Sequence, residues 1–181
     1  DQVPVINIQD SNGRMTEITV IAGQNGKKKP PNPPPDSWAS DSNNNFAMWI
    51  IKLESNAEWI ITATSSTANR SLYVINGSGI KIGTQLINAR NQVELIPDFD
   101  VTITDNGGGT KLLLLQGEPI AEPIVKHGHF VMNTQSEIRQ AYYDYQNTQF
   151  GGWIWGKDDP VHGKENKRFA KLVDGTDDNP S

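Results

Sequence analysis

The sequence contains no cysteine, so a disulfide, a thiolate-held zinc and a thiol nucleophile are all unavailable to it. Positive charge is also short. Sixteen Lys and Arg stand against 21 Asp and Glu, a formal net charge of −5, which excludes a nucleic-acid surface built on clustered cations. Long hydrophobic runs are missing too. The longest purely aliphatic stretch, Leu112 to Leu115, falls far short of a bilayer span, and no signal-peptide pattern opens the chain. Neither a membrane nor a nucleic acid is expected as a partner, and the cytoplasm is the expected compartment. A start at Asp1 rather than at Met is that of a processed product or of a piece cut from something longer. No Ser/His/Asp arrangement sets a base beside a nucleophile in a recognisable turn, so no triad chemistry is expected.

What the chain does have is turn formers and short apolar bursts. There are 16 glycines and 11 prolines among 181 residues, and asparagine is frequent, a residue that favours turns. Strand patterns run over Val3 to Ile8, Met15 to Ala22, Phe46 to Leu53, Trp59 to Ala63, Leu72 to Ile75, Ile80 to Ile82, Gln92 to Ile96, Val101 to Thr104 and Leu112 to Leu115. Polar turns such as Asn76-Gly77 and Asp105-Asn106-Gly107-Gly108-Gly109 separate them. Many short strands with turns between them predict an all-β sandwich or barrel. Lys27 to Pro35 fits no helix or central strand and reads as a stiff, extended surface loop. Thr134-Gln135-Ser136-Glu137 has the spacing of a capping box. Ile138, Ala141, Tyr142 and Tyr145 then recur at helical spacing, predicting one helix from Gln135 to Gln146. The glycines after Phe150 stop it, and residues 153–181 read as an irregular tail.

Gly117-Glu118-Pro119-Ile120-Ala121-Glu122-Pro123-Ile124-Val125, then Phe130-Val131-Met132-Asn133-Thr134, then Glu137-Ile138, Ala141, Asp144-Tyr145 and Phe150-Gly151 closely resemble the pirin family. Upstream, Val20-Ile21-Ala22-Gly23, the proline-rich loop and Leu72-Tyr73-Val74-Ile75-Asn76-Gly77 fit the same domain in the same order, so the resemblance covers residues 3 to 152. It implies the second of two cupins: a cupin-type jelly-roll β-sandwich or barrel over 1–152, with a strap and one short C-terminal helix in 117–147, followed by the irregular tail. It also implies that the iron, or another divalent metal, belongs to an N-terminal cupin missing from this chain. This domain is then expected to hold no cofactor, to carry no catalytic residue and to support that first cupin. The full-length protein would resemble pirins that act as quercetin 2,3-dioxygenases or as regulators binding other proteins, which leaves a protein-interaction module as the alternative. Placing the general cupin motifs on Gly77 and Pro97 puts Thr64, Ser66, Arg70 and Thr102 at the ligand positions. Hydroxyls and a guanidinium cannot replace imidazole and carboxylate around such a metal.

Four weaker features remain. His127 and His129 flank Gly128, and on an extended segment they would share a face. Glu122 or Glu137 would complete a metal site there, although neither His is a family ligand. His162, near Asp158 and Asp159, is a still weaker candidate. Lys27, Pro30 and Pro33 match a basic-x-x-Pro-x-x-Pro ligand for an aromatic groove on a protein partner. Trp153 and Trp155 alternate in the tail, placed to pack on the sandwich or against the missing domain. With Trp38, Trp49 and Trp59 they also raise a third reading, a sugar-binding sandwich, although Trp49 and Trp59 sit within strand patterns as core or cavity lining.

Overall fold

The computed structural model describes residues 3–153, 169–172 and 174–178. The chain divides into two compact units, residues 1–120 and 121–181. The first unit holds β1 (Val5–Gln9), β2 (Met15–Ala22), β3 (Ala47–Leu53), β4 (Glu58–Ile61), β5 (Asn69–Gly77), β6 (Ile80–Ile82), β7 (Gln85–Ile87), β8 (Asn91–Glu94), β9 (Val101–Asp105) and β10 (Thr110–Gly117). They form a six-stranded sheet, ordered β1-β2-β3-β10-β5-β8, and a four-stranded sheet, ordered β4-β9-β6-β7. Every ladder is antiparallel.

The leucine run shows why the sandwich closes. Leu112 and Leu114 point inward with no exposed surface, while Leu113 and Leu115 stay half-buried on the other face. Pairing on both sides of β10, with β3 and β5, makes it a central strand, which tolerates apolar residues at every position. The period of two repeats in β2 with Thr16, Ile18 and Val20, and in β5 with Arg70, Leu72 and Val74. Ile61, Ile80 and Ile103 from the smaller sheet join the same core. Trp49 and Trp59 meet with ring centroids 6.4 Å apart.

One polar knot closes this core at the end of the sandwich where β10 begins. Asp105 is 2 % exposed. Its Oδ2 accepts from the backbone N–H of Asn56 (3.0 Å), Gly107 (2.7 Å), Gly108 (3.1 Å) and Gly109 (3.1 Å), and its Oδ1 from the hydroxyls of Ser78 (3.0 Å) and Thr110 (2.6 Å). The loop wraps this tightly because Gly107 (φ 99°) and Gly109 (φ 80°) take left-handed conformations that a side chain would resist. The triple glycine is thus a cradle for the chain's own carboxylate.

The second unit holds β11 (Val125–His127), β12 (Phe130–Met132) and α1 (Gln135–Thr148), with β13 (Ala170–Lys171) paired to β14 (Asp177–Asp178) in the stretch expected to be irregular. The capping box is present: the Glu137 N–H donates to Thr134 Oγ1, and the Thr134 N–H donates to Glu137 Oε2 at 2.7 Å. Within this unit Tyr142 meets Phe130 with ring centroids 4.9 Å apart, and Phe150 packs on both Phe130 and Tyr145.

Two outcomes follow. Leu114→Ala should cost about 2–5 kcal/mol of unfolding free energy in urea titration, because the site is fully buried between two sheets. Burial pushes the Asp105 carboxyl up, but the hydrogen bonds from Thr110, Asn56 and the glycines outweigh it and hold its pKa below the ordinary 3.8. A lowered carboxylate pKa stabilises the fold above that ordinary value and loses its effect as the pH falls through the folded value. Asp105→Asn should therefore lower stability by about 2–3 kcal/mol at pH 7, with a smaller gap to wild type below pH 3.8. Urea midpoints at both pH values check this, and an equal gap at both would contradict it.

Candidate functional site

At the far end of β10 the inner face changes character. The register aligns Arg70 on β5 with Gln116 on β10, and Gln116 with Ala47 on β3. A polar pair therefore occupies the row after Leu72, Leu114 and Trp49. Arg70 is 4 % exposed. Its Nε donates to Gln116 Oε1 at 2.7 Å, and Gln116 Nε2 donates in turn to the carbonyl of Asn45 at 2.8 Å. Nη1 of Arg70 is buried and makes no hydrogen bond. Burial pulls the guanidinium's pKa down, while the negative charge of Asp100 works the other way. Asp100 itself accepts from the Ala63 N–H at 2.6 Å. The ion pair found among the described residues lies elsewhere, between Lys52 and Glu17 at 2.6 Å. Arg70 is thus a buried cation held by one neutral amide.

A cavity of about 540 Å³ opens on this row. Arg70, Gln116, Trp49 and Thr64 line it from the sandwich, and Lys29, Pro30, Pro31 and Pro33 line it from the long β2–β3 loop. Two of the four positions expected for degenerate cupin ligands, Thr64 and Arg70, are thus brought together. The other two are not, which corrects the motif placement. Ser66 is exposed in the turn after β4 and does not line the cavity. Thr102 is exposed on the outer face of β9, while its neighbours Val101 and Ile103 pack into the core. Spacing placed Thr102 one residue out of phase, and strand parity decides the face. The donor set does not fit a divalent metal. Such a metal needs imidazole or carboxylate lone pairs, and this row offers a cation that itself seeks an acceptor.

The remaining candidates lie apart. His127 ends β11, but Gly128 turns with φ 56° and puts His129 in the hairpin turn. The two rings therefore do not alternate along one extended segment. His127 packs edge-on against Tyr142, Glu122 accepts from Asn133 Nδ2 at 2.6 Å, and Glu137 caps α1. Among the described residues no three His, Asp or Glu side chains gather as ligands. Pro30 and Pro33 face the cavity, and Lys27 is exposed outside its lining. Trp38 packs edge-on against Phe46. Trp153 is exposed, and Trp155 and His162 lie outside the described residues. Sequence reasoning passed over Gln116 and the role of Trp49 beside Arg70. The signal for Gln116 was there: a polar residue in phase with the inward Leu112 and Leu114.

The sequence model of the pirin C-terminal cupin domain matches residues 48–151. The chain belongs to the pirin family. A Pseudomonas aeruginosa protein provisionally named a quercetin 2,3-dioxygenase is 27 % identical over 149 residues, which are 82 % of this chain and 47 % of that protein. Pirin-1 of Arabidopsis thaliana is 39 % identical over 84 residues, 44 % of this chain and 29 % of that one. This pirin cupin spans less than half the length of these two relatives. A crystal structure of quercetin 2,3-dioxygenase from Acinetobacter baumannii matches with a TM-score of 0.63 at 24 % identity, covering 82 % of this chain and 48 % of that chain. A second from the same organism matches with a TM-score of 0.60 at 17 % identity, covering 92 % and 52 %. At those identities the likeness establishes the fold, a cupin β-sandwich.

The Arg70–Gln116 pair makes an asymmetric prediction. Gln116→Leu leaves a buried cation without its acceptor and should cost about 1–3 kcal/mol. Arg70→Met removes the charge itself and should change stability by less than about 1 kcal/mol, or raise it. Urea titration of both variants checks this, and a larger loss for Arg70→Met would reverse the reading.

Proposed function

We propose that this domain is the accessory half of a two-cupin pirin, supporting a metal-bearing N-terminal cupin rather than carrying chemistry itself. The observation that carries this reading is the inner row itself. Where a cupin metal would need lone pairs, the sandwich presents the Arg70 guanidinium hydrogen-bonded to Gln116. The match to the C-terminal cupin domain of the family supports it, as does the chain's span of 47 % of its P. aeruginosa relative. On this reading the iron or other divalent metal sits in the first cupin. A quercetin 2,3-dioxygenase activity, the one provisionally named for several relatives, is then a property of the two halves together.

The domain also carries surface suited to such a role. Ile96 and Phe99, on either side of Pro97-Asp98 in the loop before β9, are 64 % and 63 % exposed and are open to such a partner. Among the described residues no helix is long and apolar enough to cross a membrane, and we place the two-cupin protein in the cytoplasm.

The N-terminal cupin of the same protein, made separately and mixed with this chain, should give a one-to-one complex by sedimentation at roughly 10 µM. Two species sedimenting independently at that concentration would count against the accessory reading.

A further inference from the structure

Four Asn-Gly pairs occur in the sequence: Asn12-Gly13, Asn25-Gly26, Asn76-Gly77 and Asn106-Gly107. In such a pair the glycine nitrogen can close a five-membered ring on the asparagine side-chain carbon. Proximity favours that attack, and glycine puts no side chain in its way. The fold decides which pairs are free to react, because a nitrogen held in a hydrogen bond must be released first. Three of the four are held. Gly13 N–H donates to the Asp10 carbonyl at 3.0 Å, in a turn that Asp10 Oδ1 also ties through the N–H groups of Asn12 and Arg14. Gly107 N–H donates to Asp105 Oδ2 at 2.7 Å, and Asn106 Nδ2 donates to the Ser78 carbonyl at 3.3 Å. Gly77 sits in the ladder between β5 and β10, opposite Thr110 and pressed against the backbone of Gly109.

Gly26 differs. Asn25 and Lys28 exchange backbone hydrogen bonds of 3.2 and 3.0 Å, which leaves Gly26-Lys27 as a two-residue turn. Gly26 is exposed, takes φ 56° as the first central residue of such a turn, and has open space around it. Its N–H donates to no acceptor among the described residues, and the Asn25 side chain is equally uncommitted. Lys27, Lys28 and Lys29 follow, all exposed, and their positive charge favours the anionic nitrogen and oxygen that develop during attack.

We propose that Asn25 is a site of self-modification, at which Gly26 N attacks Asn25 Cγ and converts the residue to aspartate and isoaspartate while the other three asparagines persist. In the first step the bond from Gly26 N to Cγ forms and the bond from Cγ to Nδ2 breaks. The side-chain nitrogen takes up the Gly26 proton and leaves as ammonia, and a succinimide remains. Water then opens that ring at either carbonyl, with no change of oxidation state. The product places a negative charge beside three lysines, and isoaspartate also lengthens the turn by one backbone carbon. Gln24 and Lys29, on either side of the turn, both line the cavity, so the change falls on its rim. The inference stands apart from the accessory role, since it concerns the chemistry of this loop alone.

Peptide mapping by mass spectrometry of the full chain, aged at mildly alkaline pH and physiological temperature, tests the proposal. Asn25 should convert at least about fivefold faster than Asn12, Asn76 and Asn106, because a hydrogen bond or a strand pairing must open first at those three. In concentrated urea the four rates should fall within about threefold of one another, since the fold is what separates them. Asn25→Gln, whose attack requires a larger ring, should show no conversion in the same peptide. A folded chain in which Asn25 converts no faster than the others, a lead that survives undiminished in urea, or equal conversion in Asn25→Gln would each overturn it.

Discussion

Arg70 is carried into the sandwich by the same two-residue period that buries Leu72 and Val74, and there its Nε meets Gln116 Oε1 at 2.7 Å. That contact organises the end of the sandwich where the cavity opens. The guanidinium ends the apolar rows, Gln116 ties it through the Asn45 carbonyl to the loop leading into β3, and the space left beside the pair is the cavity. A cation at this point disfavours a divalent metal beside it. The domain keeps the cupin scaffold and presents the opposite charge requirement at its mouth.

The two ends of β10 handle buried charge in opposite ways. Where the strand begins, Asp105 collects four backbone N–H groups and two hydroxyls. Its charge is fully solvated by the protein, and the arrangement serves stability. Where the strand ends, Arg70 has one neutral side-chain acceptor and an unbonded Nη1. A charge left partly unsatisfied weakens a fold unless something else completes it. Asp105 ends β9 and Arg70 lies on β5, so the two charges sit beside opposite ends of β10 in different local surroundings.

Much of the sandwich was legible because burial follows residue parity. The strands β2, β6 and β9 fell within a residue of expectation, as did the start of α1 with its capping box, since local apolar period and cap chemistry decide them. Gln85–Ile87 went unread as a strand because three residues after Gly83 carry too little pattern, and its pairing with β6 is tertiary. The site was legible in half. Motif spacing points to Arg70 and Thr64, and the same spacing assigns Thr102, which faces outward on β9. Gln116 lay hidden at the end of a leucine run. The proline-rich loop read as surface, and only the three-dimensional fold brings Pro30 and Pro33 to the cavity wall. His127 and His129 shared a face only on an extended segment, and the left-handed Gly128 removes that premise.

A mouth built around the Arg70 cation is expected to leave this cupin without a bound metal. Metal analysis of the purified chain after exposure to Fe(II), Mn(II) and Zn(II), followed by desalting, tests it most directly. Far less than one metal per chain with all three ions is the predicted result. One tightly held metal per chain that disappears in Gln116→Leu would contradict the account, because it would place a working ligand set in the row occupied by Arg70.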